Sequence, residues 1–297
     1  MSWLPCNNQL QRKISDLLSP IQNQPTLLIK EAKHKTFVIA DLHIGWEMSL
    51  SEKGIHVPTQ TPKLLRKLTN LISTHKPEKL LILGDVKHTV ATAEIGEWHD
   101  IPDFFNELKK QAREILIIRG NHDGNLEPLL PENMKILPAT GVTIGEVGFF
   151  HGHRWPLPSL LKCRTLVMGH VHPVVAFRDP AGFRITKQVW VKAKCDSMKL
   201  AQILLQKHGI KIGKNPEETL FRHYKVKPKT SWLFIMPSFN ELLGGRPLNE
   251  RKLAGRPRSE RIVGPVLRSE AVDMEDAETY LLDGTFLGTL KQLKILS

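Results

Sequence analysis

Leu80-Leu81-Ile82-Leu83-Gly84-Asp85-Val86-Lys87-His88 decides how this chain is read. Four apolar residues run into Gly-Asp, the pattern of a buried strand ending in a loop that projects one carboxylate. Three other junctions share that form: Phe37-Val38-Ile39-Ala40-Asp41-Leu42-His43, Ile115-Leu116-Ile117-Ile118-Arg119-Gly120-Asn121-His122-Asp123 and Leu166-Val167-Met168-Gly169-His170-Val171-His172. Gly148-Phe149-Phe150-His151-Gly152-His153 is close to it. Each delivers Asp, Asn or His at the end of an apolar run, where open α/β sheets bind their ligands. The five ends are expected to converge on a two-metal centre, with Asp85 shared between the ions. Oxygen and nitrogen donors without thiolate favour Mn²⁺ or Fe, with Zn²⁺ or Mg²⁺ as alternatives.

At 297 residues, 41% hydrophobic and 24% charged, the chain can bury one large core, or a core with a modest appendage. No apolar run reaches the roughly 18 residues of a membrane span, and Met1 to Lys13 lacks an apolar signal core. Cys6, Cys163 and Cys195 are odd in number and widely spaced, which argues against a disulfide framework and a thiolate zinc site. A cytoplasmic protein without a membrane partner is the expectation.

The net charge of +12 favours polyanionic partners. It is concentrated. Lys192–Lys229 holds ten Lys/Arg against three Asp/Glu, and Arg246–Arg268 seven against two.

Ser2 to Pro25 suggests a lead-in helix and loop, and Thr26–Lys30 with Lys35–Ala40 a hairpin feeding the first site loop. Leu64, Leu65, Leu68, Leu71 and Ile72 have helical spacing over Thr61–His75. A loop through Trp98 and a helix over Asp103–Arg113 precede the Ile115 strand, completing βαβ units. From Met134 the runs shorten into a second, more antiparallel sheet, with a hairpin of Val174–Phe177 and Arg184–Val191. Residues 192–230 read as a basic insertion or lid outside the sheets, within one domain spanning 1–297. Ser231–Met236 is a strand, and Ala277–Leu282 with Phe286–Leu290 forms a closing hairpin about Asp283-Gly284-Thr285. The architecture expected is an α/β four-layer sandwich: two mixed β-sheets flanked by helices.

The ordered set Asp41-x-His43, Gly84-Asp85, Gly120-Asn121-His122-Asp123, His151-Gly152 and Gly169-His170-x-His172 resembles the calcineurin-like metallophosphoesterase superfamily. Leu42-His43-Ile44-Gly45-Trp46-Glu47, Gly84-Asp85-Val86-Lys87-His88, His151-Gly152-His153-Arg154-Trp155-Pro156, Met236-Pro237-Ser238-Phe239-Asn240 and Leu282-Asp283-Gly284-Thr285 narrow the likeness. They resemble a subgroup whose bacterial members are associated with a DNA ligase in repair. The resemblance implies that Asp41, His43, Asp85 and His172 hold one metal, and that Asp85, Asn121, His151 and His170 hold the other. Preferring His151 to His153 follows the family pattern, in which the ligand directly ends the strand; His153 is then a substrate-facing residue.

For the reaction, His122 is expected to protonate the leaving group, oriented by Asp123, and Arg154 to clamp phosphate; the resemblance to nuclease-like relatives further implies His88 as a second histidine steadying the transition state. The function implied is hydrolysis of phosphodiester bonds, first of all in DNA during repair, with a ligase or helicase as associated partner. The alternatives are a phosphatase or small-nucleotide phosphodiesterase, and a non-catalytic scaffold.

Overall fold

In the computed structural model, residues 17–31, 34–179, 181–213, 215–250 and 264–295 are described. Most of the lead-in helix expected over Ser2–Pro25 lies outside them, as do Cys6 and residues 251–263 of the second basic stretch. Within that lead-in, Leu18–Pro20 is a short strand.

The first sheet runs in chain order: β1 (Leu18–Pro20), β2 (Leu27–Glu31), β3 (His34–Ile39), β4 (Lys79–Ile82), β5 (Glu114–Ile118) and β6 (Lys135–Leu137). β1, β2 and β3 pair antiparallel, and β3 to β6 are parallel. The parallel pairs need crossovers, supplied between β3 and β4 by α2 (Thr61–His75), after a short α1 (Trp46–Ser51), between β4 and β5 by α3 (Ile95–Lys109), and between β5 and β6 by a connection with a single 3-10 turn at Glu127–Leu129. α3 starts well before the Asp103 expected from sequence. Pro102 lies inside the helix, and a reciprocal capping box between Glu94 and Glu97 starts it upstream. Trp98 is thus helical, not in a loop.

The second sheet contains β7 (Val142–Ile144), β8 (Val147–Phe150), β9 (Thr165–Met168), β11 (Arg184–Cys195), β12 (Trp232–Ile235), β13 (Val272–Leu281) and β14 (Phe286–Thr289) in the order β14-β13-β11-β12-β9-β8-β7. β10 (Val174–Arg178) pairs with the start of β11. Lys192–Cys195, expected outside the sheets, belongs to β11 and pairs with both β12 and β13. Lys192 is held there by packing its ammonium 3.9 Å from the centre of the Trp232 ring. Beyond Cys195 the basic segment forms two helices. α4 (Ser197–Lys207) and α5 (Pro216–Tyr224) bury Leu200, Leu204, Leu205 and Leu220 against the outer face of this sheet.

Strand alternation makes the layers. In the first sheet Phe37, Ile39, Leu80 and Ile82 face α2 and α3, whereas Val38, Ala40, Leu81 and Leu83 face Phe149, Val167, Trp190 and Phe234 of the second. Helix, sheet, sheet, helix is the result, as expected. The parallel strands end side by side, so their loops gather along one edge of the sandwich.

Candidate metal centre

Those loops turn sharply, and their conformation is unusual for side-chain-bearing residues. Asp41, His43, Asp85, His170 and His172 all have positive φ, between 44° and 70°. Such angles are several-fold enriched in Asn, Asp and His but still carry strain, which collects where a site over-determines the backbone. Glycine is required between them. A Cβ on Gly84 would lie 2.5 Å from His151 Nδ1 and 2.7 Å from Gly120 Cα. One on Gly120 would lie 2.1 Å from Asp85 Oδ1.

Backbone bonds stitch the loops together. His43 N–H donates to Asp85 O at 2.9 Å, and Gly169 N–H to His151 O at 3.0 Å. The Asp41 carboxylate accepts the His170 N–H at 3.0 Å, and Asp85 Oδ1 accepts that of His122 at 2.9 Å. Met236–Asn240 braces the first loop from the second sheet: Phe239 N–H donates to Ala40 O at 2.7 Å, and Asn240 Nδ2 to Leu42 O at 3.1 Å.

Two donor groups form around Asp85. Asp41, His43, Asp85 and His172 offer ligand atoms within 4.8 Å of one another, and so do Asp85, His151 and His170. Asp85 Oδ2 lies 3.4 Å from His43 Nε2 and 3.3 Å from His151 Nε2. Asn121 Oδ1 is 3.1 Å from that same His151 nitrogen. His151 Nδ1 donates to Leu83 O at 2.5 Å, which turns Nε2 toward the group. The residues fit cations. The Nε2 atoms of His43 and His172 are buried without a hydrogen-bond partner among the described residues, and buried polar atoms are seldom left so. His172 Nε2 stands 3.7 Å from Asp41 Oδ1, beyond hydrogen-bond range. Oxygen and imidazole donors without sulfur complete the chemistry of a hard-to-borderline divalent site.

Burial acts to lower His151, but the Asp85 and Asp41 carboxylates raise it to about 9. Burial likewise opposes Asp85, yet His151 and His43 hold its carboxyl well below the usual range. His170 is pushed down to about 4 by burial and by His151.

His88 and His122 stand next to this pair of groups. Their rings are centred 5.3 and 4.7 Å from that of His43, and His88 Nδ1 is 3.2 Å from His43 Nδ1. Burial and the two neighbouring imidazoles lower His88 to about 4. The expected orientation of His122 by Asp123 is corrected. His122 Nδ1 is bonded to the His88 carbonyl. Asp123, fully buried, instead accepts Val86 N–H at 2.8 Å and Gly120 N–H at 2.7 Å. It therefore shapes the loop backbones, and burial lifts its carboxyl to about 6.

His153 packs its ring 5.2 Å from that of His151, and burial with His151 lowers it to about 4. Arg154 beside it is exposed.

Two features escaped the sequence. Glu97 binds the His88 loop from α3, and a strap over 245–249 lies along β10 beside His172. A Cβ on Gly245 would lie 2.0 Å from His172 O, and Leu248 N–H donates to Val174 O at 2.9 Å. A cleft of about 550 Å³ at the opposite end of the first sheet is lined by Lys79, Glu114 and Lys135, whose charges are mutually paired. Among the described residues, no cluster of three or more possible metal ligands lies there.

Residues 34–242 match the family model of the calcineurin-like phosphoesterases. The chain belongs to that family. The matched span contains every loop of this phosphoesterase's donor groups. No curated protein matches its sequence. Among solved structures, it is similar to the nuclease MPE of Pseudomonas putida at 19% identity, covering 90% of this chain and 97% of that one with a TM-score of 0.46. It is also similar to Yfce, a phosphoesterase from E. coli, at 22% identity over 48% of this chain and 73% of that one, with a TM-score of 0.32.

Proposed function

We propose that this chain is a two-cation phosphodiesterase acting on nucleic acid, with DNA in repair as its first-choice substrate. The observation that carries the two-cation reading is Asp85 Oδ2, a single carboxylate oxygen within 3.4 Å of imidazoles from both donor groups. Asp41, His43, Asp85 and His172 would hold one ion, and Asp85, Asn121, His151 and His170 the other, with Mn²⁺ as the first choice. Divalent ions there would polarise phosphoryl oxygens and bring the pKa of water near neutrality.

The chain's own residues do the rest. His122 keeps Nδ1–H on the His88 carbonyl, so in its protonated form Nε2–H is the proton it can give. Transfer to the departing alkoxide leaves the ring neutral and still held. His88, kept neutral, is a hydrogen-bond donor or acceptor toward phosphate and not a competing cation. Arg154 and Arg246 are exposed next to His153 and the His172 strap, and suit the phosphates flanking the scissile one. The net charge of +12 supports a polyanionic substrate. Association with a ligase or helicase rests on the resemblance of the motifs.

The test is a substrate matrix with Mn²⁺: single- and double-stranded DNA, RNA, bis(p-nitrophenyl) phosphate and p-nitrophenyl phosphate. Cleavage of DNA and of the diester over the monoester is the expected outcome. Preference for the monoester, with no salt-sensitive DNA binding, would replace the nuclease reading by that of a phosphatase.

A further inference from the structure

We propose that Glu97 is the positioning residue for His88 and His122, the two imidazoles assigned to the substrate phosphate; this rests on the phosphodiesterase reading. Glu97 is fully buried, a costly place for a carboxylate unless its oxygens are hydrogen-bonded. Oε2 accepts the Glu94 N–H at 3.0 Å, which is all that capping of α3 asks of it. Oε1 is turned to a different purpose. It accepts the backbone N–H of His88 at 2.9 Å and of Thr89 at 2.8 Å.

The same loop is gripped from its other side. Lys87, also fully buried, directs its ammonium to the carbonyls of Thr89, of Val90 at 3.4 Å and of Thr92 at 3.5 Å. The peptide unit between His88 and Thr89 is thereby fixed at the Thr89 N–H, and its carbonyl, that of His88, receives the Nδ1–H of His122. Holding that carbonyl sets both the plane of the His122 ring and its tautomer, leaving Nε2 as the exchangeable position. The stem of Glu97 also fills the space beside Gly45, where a Cβ would lie 2.9 Å from its Cγ. His88 N–H is shared with Ile44 O at 3.0 Å, so the Glu97 side chain reinforces the backbone bonds that hold the loop after β4 against the loop after β3, and it reaches both rings without touching either.

The test uses the full chain loaded with Mn²⁺, with bis(p-nitrophenyl) phosphate as substrate. Glu97→Ala is expected to lower kcat roughly 10–100-fold, as loss of a group that orients a working imidazole does, with KM and the metal-to-protein ratio unchanged. Glu97→Gln, which keeps an oxygen for His88 and Thr89, should recover part of the rate. In a double-mutant cycle, Glu97→Ala should cost clearly less once His122 is already Ala, because part of its effect runs through that ring and the remainder through His88. Imidazole ¹H–¹⁵N spectra of the metal-free protein should show a protonated His122 Nδ1 in the wild type and its loss in Glu97→Ala. Additive losses in the cycle, an unchanged kcat or an unchanged His122 spectrum would overturn the proposal. Should Glu97→Ala not fold, Glu97→Gln and its spectrum decide. A wild type inactive on diesters refutes the phosphodiesterase reading, whereas the spectrum reports on Glu97 alone.

Discussion

Replacing Asp85 by Asn keeps the side chain's size but removes the charge that both donor groups share. Asp85→Asn is therefore expected to lose metal and activity together, whereas His122→Ala should keep both metals and lose roughly 10²–10⁴ in rate. Metal analysis of the two purified variants separates the roles; a metal-free His122→Ala would refute the assignment.

The titrating groups give a second expectation, for stability of the chelated protein. His88, His153 and His170 are held near 4, against 6.5 in an unfolded chain. Between these values the unfolded state binds the extra protons, so stability rises with pH. Asp123, raised from 3.8 to about 6, works the other way over much of that window, one group against three. His151 is raised to about 9, so its contribution is complete below 6.5 and is lost as pH climbs to about 9. Tm in excess chelator should peak near neutrality and fall on both sides. A Tm still climbing from pH 7 to 9 would contradict the charge state given to His151.

At the scale of elements, the strand-to-loop junctions were legible because a four-residue buried run is visible locally and its next residue is fixed by the strand's end. Gly84 shows how tightly. Its φ of +79° and the 2.5 Å approach to His151 leave no room for a methyl group. Gly84→Ala should lower Tm by at least about 2 °C and weaken cation binding, measured by calorimetry; a neutral effect would mean that the loop has slack.

What sequence could not supply was contact across the fold. Pro102 looks like a helix stop until the Glu94–Glu97 cap is seen to start α3 before it. Glu97 itself looks like a capping residue, and only the tertiary approach of His88 reveals its second use. Lys192–Cys195 resembles a basic surface segment because Lys192 and Lys194 both carry charge; the Trp232 ring takes up Lys192, and strand pairing on both sides holds the rest. The expected pairing of Asp123 with His122 failed for the same reason: Asp123 is taken by the Val86 N–H and His122 by the His88 carbonyl, both on the loop after β4.

Across the whole molecule, charge is the property that composition foretold and that experiment can read directly. Affinity for single-stranded DNA should fall steeply between about 50 and 200 mM salt, the slope of log K against log salt counting the phosphates engaged. A flat response would detach the excess charge from substrate binding. The donor groups straddle the two sheets: Asp41, His43, Asp85 and Asn121 follow strands of one, and His151, His170 and His172 follow strands of the other. Cations seated between them would rivet the halves of the sandwich along one edge. Starving the protein of metal would then do more than silence it: the seam would open more readily to proteases, so that turnover in both senses of the word, catalytic and metabolic, answers to one supply of ions.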